Sequence, residues 1–205
     1  HGQWMVRHYR KVLKTAAKYQ IMVNAHEPIK ATGIRRTYPN MMTREGVRGM
    51  EYNAWSTGNP PSHTCILPFT RGLAGPTDYT PGIFDIHFDQ YKQDERVYTT
   101  LAKQLALEVM LYSPMQMAAD LPENYKAHPH AFSFIEKLAV DWEETKVLQA
   151  EIGDFMTLVR KERHGERWFL AGITNKKPRS MKQSLDFLPR GKQFVAEIYA
   201  DAADA

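Results

Sequence analysis

Three glutamates, Glu27, Glu45 and Glu51, stand close together in the segments N-A-H-E-P and T-R-E-G-V-R-G-M-E-Y-N. Two chemistries need carboxylates at that density. Glycoside hydrolysis uses one carboxylic acid to protonate the leaving oxygen and a second carboxylate as base or nucleophile. A separation of about 6.5–9.5 Å admits a water and inverts the anomeric centre, whereas about 5–5.5 Å retains it. Calcium takes about six to eight hard oxygen ligands, and its charge biases the carboxylates that hold it. Around the glutamates lie Asn24, His26, Pro28, Gly33, Arg35, Arg36, Arg48, Gly49 and Trp55. Such residues constrain backbone or recognise ligands, and they replace the periodic apolar residues of a plain core segment. A plainer alternative stays open on these residues alone: the glutamates pair with Arg35, Arg36, Arg44 and Arg48, which would orient them and lower their pKa values.

The elements that must carry these groups can be read in outline. Residues 4–19 form an amphipathic helix, followed by the short apolar run I-M-V-N-A-H that ends in polar residues. A helix leading into a buried strand with functional groups at its C-terminal tip is the unit of a (β/α) barrel, which puts Glu27 on the catalytic face. A second short segment ends at residues 48–52, where Gly46 and Gly49 mark tight turns or close ligand approach. Residues 53–90 are loop-rich, and long irregular stretches in a compact domain are usually functional. Residues 97–113 read as a helix ended before Pro114, and residues 129–138 as another short one.

Near Asp141 the period changes. K-V-L-Q-A-E-I-G, F-M-T-L-V-R-K-E, R-W-F-L-A-G-I-T, M-K-Q-S-L-D-F-L and Q-F-V-A-E-I-Y read as five strands separated by turns, the pattern of an antiparallel sandwich. The predicted fold class is therefore α/β plus all-β. Residues 1–140 form the C-terminal part of a (β/α)8 barrel and residues 141–205 the start of a truncated β-sandwich.

Composition narrows the function classes. The chain has 205 residues with 43% hydrophobic and 24% charged content, which supports a packed core rather than disorder. The net charge of +4 and the basic run Arg7, His8, Arg10, Lys11, Lys14 and Lys18 suggest nucleic acid at first. That run shares a helix with Val6, Val12, Leu13 and Ala17, so it reads as a solvated face, and no nucleic-acid partner is predicted. Cys65 is alone, which excludes a disulfide framework and a cysteine-built zinc site. No segment approaches the length of an apolar membrane span. The opening helix and the closing Y-A-D-A-A-D-A both look cut.

V-N-A-H-E-P-I-K-A-T-G-I-R-R-T-Y-P-N, R-E-G-V-R-G-M-E-Y-N-A-W and H-T-C-I-L-P-F-T-R-G-L-A-G-P-T-D-Y-T-P-G-I-F closely resemble glycoside hydrolase family 97. These are calcium-dependent α-glucosidases and α-galactosidases of Bacteroidetes-like bacteria, and D-W-E-E-T-K-V-L-Q-A-E-I-G extends the resemblance into the last domain. The resemblance implies an N-terminal β-sandwich, a central barrel and a C-terminal β-sandwich, with this chain supplying the later part. It implies Glu51 as general acid, Glu45 as a calcium ligand, and Glu27 as base that also touches calcium, so Glu27, Glu45 and Glu51 make up the expected metal set. It places His26 against substrate, and the His26–Glu27 pair and the opening H-G-Q-W-M-V look like the inverting α-glucosidase branch. The retaining branch tends to have H-G at that pair and an aspartate nucleophile on an earlier strand. A further base glutamate and another calcium ligand would lie upstream of His1, so the remainder of the same polypeptide is an implied partner. The expected substrate is an α-glucan oligosaccharide, and the implied address is the periplasm. A retaining α-galactosidase and a non-catalytic carbohydrate-binding module remain the alternatives.

Other candidates carry less. Trp55 either stacks on sugar or lies in the core. His63, His87, His128 and His130 match no common zinc spacing. Asp78 and Tyr79 in D-Y-T-P-G read as a structural turn that closes the barrel, and Met110, Met115 and Met117 as core filler. A general acid at Glu51 needs partial desolvation or neighbouring negative charge to hold its proton near neutral pH.

Overall fold

The computed structural model describes residues 2–88, 90, 92 and 95–201. Helix α1 (Gln3–Lys18) leads into the three-residue strand β1 (Val23–Ala25). A left-handed Gly33 then starts the single-turn helix α2 (Ile34–Thr37), which is followed by β2 (Met41–Arg44). β1 and β2 pair in parallel, Asn24 beside Thr43 and Ala25 beside Arg44, so their C-terminal ends lie side by side. The six basic side chains of α1 face solvent, as its amphipathic pattern requires. Only Leu13 of its apolar residues is buried, and Val12 and Ala17 are exposed.

A 3₁₀ turn at Met50–Ala54, the one-turn helix α3 (Pro61–Thr64) and two further 3₁₀ turns at Leu67–Phe69 and Arg71–Ala74 follow. Helix α4 (Leu101–Met110) is shorter than the predicted 97–113. Thr100 sets its start, its hydroxyl accepting from the Lys103 N–H at 3.2 Å, and an N-cap of this kind replaces the backbone partner the first turn lacks. Helices α5 (Pro122–Ala127) and α6 (Pro129–Lys137) complete the helical part, α6 as predicted.

Strands β3 (Trp142–Glu151), β4 (Phe155–Glu162) and β5 (Trp168–Thr174) form one antiparallel sheet in the order β3-β4-β5. Two of the five predicted strands, residues 181–188 and 193–199, are irregular. Alternating apolar residues do not make a strand without a partner backbone, and here none is paired: Val195 is 99% exposed and Ile198 78%. The first of these segments is instead tied to the sheet through side chains, Gln149 donating to the Lys182 carbonyl at 2.8 Å.

Met156, Leu158, Ala171 and Ile173 alternate along β4 and β5, so they share one face. That face joins Leu107, Val109 and Met110 of α4 in the principal core, together with Met50, Cys65 and Tyr79. Polar groups tie the same junction. Buried Arg160 donates to the Val109 carbonyl at 2.8 Å and the Met110 carbonyl at 3.5 Å. These are among the carbonyls that the end of a helix leaves unpaired. Burial pushes the guanidinium down to about 10. Lys103 Nζ donates to Pro61 and Thr174 carbonyls at 2.9 and 2.8 Å. Arg160→Ala would leave two buried carbonyls without donors and should cost about 2–4 kcal/mol. Urea unfolding of the full polypeptide measures this, and an unchanged midpoint would refute the role.

Candidate active site

The parallel pairing of β1 and β2 brings the residues that follow each strand together. His26 and Glu27 follow β1, and Glu45 follows β2. Glu27 sits at φ 47°, a left-handed conformation that costs a non-glycine residue free energy. Its neighbours hold it there. The Tyr9 hydroxyl from α1 lies 2.9 Å from the Glu27 carbonyl and 3.2 Å from that of His26, and the Glu27 N–H donates to Glu45 Oε2 at 3.1 Å.

Arg71 anchors the β2 end. It donates to the carbonyls of Arg44 (2.8 Å), Glu45 (2.9 Å), Gly75 (3.2 Å) and Pro76 (3.0 Å). Burial, followed by the charges of Arg44 and Arg35, pushes its pKa down to about 10. Gly46 then turns the chain at φ 56°. At Gly49 the backbone passes so close to the Asp78 turn that a Cβ would stand 3.3 Å from the Tyr79 carbonyl oxygen, which also accepts from the Met50 N–H at 3.0 Å. Asn59 and His63 hold the Arg48 carbonyl at 3.2 and 2.8 Å, so the 3₁₀ turn carrying Glu51 is fixed from behind.

Glu51 thereby comes back to the strand ends. One ligand atom each from His26, Glu45 and Glu51 lie within 4.8 Å of one another. His26 Nδ1 is 3.5 Å from Glu51 Oε1, and its Nε2 is 2.7 Å from Asp78 Oδ2. The Glu27 carboxylate is not in this group: the residue is exposed and contributes its N–H to Glu45. Burial lowers the His26 pKa, but the hydrogen bond to Asp78 and the charges of Asp78, Glu45 and Glu51 outweigh it, and the net shift is upward.

No arginine or lysine makes an ion pair with Glu27, Glu45 or Glu51 among the described residues. The arginine alternative therefore fails in this structure. Arg48 lies over the Tyr52 ring at 4.8 Å, and Arg44 points to the Ile29 carbonyl at 3.5 Å. Trp55 is 66% exposed within these residues, which leaves its indole face open here. His63 faces a backbone carbonyl, while His128 and His130 pack edge-on against Phe84 and Tyr199.

Asp78 is more than the predicted turn. It is fully buried, and it accepts from the Asn24 amide, from His26 and from the Thr80 N–H at 3.0 Å. The sequence reads it only as a turn, because nothing in D-Y-T-P-G says which side chain points inward, and nothing in the helical period of Tyr9 or the loop around Arg71 marks either as a support of this site. Behind Asp78 lies Glu108 on α4, also buried, with both oxygens lacking a hydrogen-bond partner among the described residues.

The comparisons with known proteins show the family. Residues 1–47 match the family described as Glycoside hydrolase 97, and residues 141–205 match its C-terminal part, described as Glycosyl-hydrolase 97 C-terminal, oligomerisation. A Glycoside Hydrolase Family 97 enzyme from Pseudoalteromonas sp. strain K8, solved with panose and with acarbose, is 53% identical with a TM-score of 0.85. The alignment covers 93% of this chain and 30% of that one. A retaining alpha-galactosidase from Bacteroides thetaiotaomicron is 31% identical over 95% of this chain and 30% of its own length. A probable retaining alpha-galactosidase from Streptomyces bingchenggensis is 35% identical over 83% and 25%. The chain belongs to glycoside hydrolase family 97, and it spans 25–30% of the length of these relatives.

Burial, and then the charge of Asp78, push the Glu108 carboxyl up from 4.5 to about 8. Across that window the unfolded chain releases its proton while the folded chain keeps it. The folded state binds more protons, so its stability is greatest at the acid end and falls as pH rises. Glu108→Gln, neutral throughout, should remove this fall. Melting curves from about pH 5 to about pH 8 should show wild type losing Tm relative to the variant; parallel profiles would refute it.

Proposed function

We propose that the full polypeptide is a calcium-dependent, inverting α-glucosidase that releases glucose from the non-reducing ends of α-glucans. The observation that carries this reading is the convergence of His26, Glu45 and Glu51 at the ends of two parallel strands. In this reading residues 1–140 are the later part of a (β/α)8 barrel, supported by the parallel β1–β2 pair and the helix before it. Residues 141–205 begin the C-terminal domain.

Glu51 is exposed to an approaching substrate and protonates the glycosidic oxygen as the bond breaks. Glu27, with a carboxylate supplied from upstream, takes the proton of the attacking water on the opposite face. His26 lies between Glu51 and Asp78, where its ring can meet a sugar hydroxyl. The donor set fits calcium: carboxylate oxygens are hard ligands, and no arginine or lysine pairs with them among the described residues. Glu45 and Glu27 would hold the ion, with Glu51 at its edge. When bound, it fixes the carboxylates and offsets their mutual repulsion.

Substrate class draws support from the relatives. Panose is built of α-linked glucose, and the enzyme solved with it shares 53% identity with this chain, against 31% and 35% for the two galactosidases. The names of those two relatives support the second reading, a retaining α-galactosidase.

NMR of the anomeric signals during cleavage of an α-glucoside by the full polypeptide tests the reading. β-Glucose should appear first; α-glucose first would overturn inversion. Glu51→Gln should lower kcat on substrates with poor leaving groups by about 10²–10⁴-fold and spare activated aryl glycosides. Uniform loss on both substrate types would remove Glu51 from the acid role. Chelation should lower both activity and Tm, and added calcium should restore both; activity and Tm indifferent to chelator would remove the metal.

A further inference from the structure

We infer that Asp78 is a positioning residue that fixes the ring of His26 in one orientation and one tautomer, with Nε2–H turned inward and bare Nδ1 presented to Glu51. The inference rests on the reading of His26 and Glu51 as parts of the working site.

Asp78 has no exposed surface, and its oxygens are occupied by donors. Oδ1 accepts from the Thr80 N–H at 3.0 Å. Oδ2 accepts from the Asn24 amide and stands 2.7 Å from His26 Nε2. A carboxylate offers no proton, so the His26 nitrogen facing it must carry one. In the neutral ring that leaves Nδ1 as an acceptor, and Nδ1 is the atom 3.5 Å from Glu51 Oε1. A buried carboxylate behind a functional imidazole holds tautomer and direction without itself touching substrate.

The backbone locks this arrangement from both sides. The Asp78 N–H donates to the Arg44 carbonyl at 3.0 Å, one residue before Glu45, and Thr80 is held at φ 53°. Asp78 therefore ties the ends of β1 and β2 to one another and sets the ring against both.

Asp78→Asn keeps the shape and reverses the message. If its oxygen keeps the Thr80 bond, its amide nitrogen faces Asn24 and His26. Asn24 has a buried Oδ1 without a partner, so its amide can reverse and accept. His26 Nε2 must then accept as well, which moves the ring proton to Nδ1 and points it at Glu51.

The test is a double-mutant cycle in the full polypeptide, read on any glycoside it cleaves. Asp78→Asn should lower kcat by about 10²–10⁴-fold with a smaller effect on KM. In a His26→Gln background the same change should cost less than about twofold, because the group it positions is gone. Equal losses in both backgrounds, or no loss with His26 present, would overturn the inference. A second measurement needs neither turnover nor a variant of Asp78. In protein labelled with ¹⁵N-histidine, with His26 assigned by its disappearance in His26→Gln, the neutral ring should show a proton on Nε2 and none on Nδ1. A proton on Nδ1 would overturn the inference. Glu51→Gln separates the two levels: if that variant keeps full turnover on poor leaving groups, the acid assignment falls, while the His26 spectrum still reports on Asp78.

Discussion

A carboxylate buried without solvent must find its hydrogen-bond donors within the protein, and the bonds of Asp78 join three stretches of the chain. Asn24 and His26 come from the end of β1, Thr80 from its own turn, and its N–H returns to Arg44 at the end of β2. Take that node away and the two strand ends lose their common reference. Glu45 would still follow β2 and Glu51 its 3₁₀ turn, but nothing would set His26 between them. The neighbouring turn depends on it too, since the Tyr79 carbonyl accepts from Met50 one residue before Glu51.

A second acid deepens the constraint. Glu108 lies behind Asp78 with its pKa pushed up to about 8 by burial and by Asp78 itself. Two charged carboxylates stacked inside a core would repel at low effective dielectric. The protein resolves this by giving one all the donors and leaving the other its proton. Helix α4, which carries Glu108, also carries the carbonyls that Arg160 satisfies from β4. The C-terminal sheet is thus linked through one helix to the core beside Asp78.

Much of this was legible in the sequence. The spacing of Glu27, Glu45 and Glu51 marked a site, and the motifs around them identified the family. Helix α1, the strand at Val23–Ala25 and the helix over Pro129–Lys137 followed from period and breakers. What escaped has physical reasons. Glu27 was counted among the converging carboxylates, and what the structure adds is a left-handed backbone whose N–H donates to Glu45, beside the group that His26, Glu45 and Glu51 form. The arginines beside the glutamates looked like their partners, yet Arg48 stacks on Tyr52 and Arg71, 26 residues further on than Glu45, supports the loop through carbonyls. Residues 181–188 and 193–199 alternate like strands, and alternation records a preference for two faces without supplying a neighbour to pair with.

Glu27 has one more consequence. Its left-handed backbone is the kind that glycine adopts without penalty, so folding alone would favour glycine there. A glutamate persists in that place at the expense of the fold, and replacing it would ease the chain while erasing the carboxylate. Local backbone energy and the carboxylate therefore pull in opposite directions at this one position, and the chain carries the costlier residue.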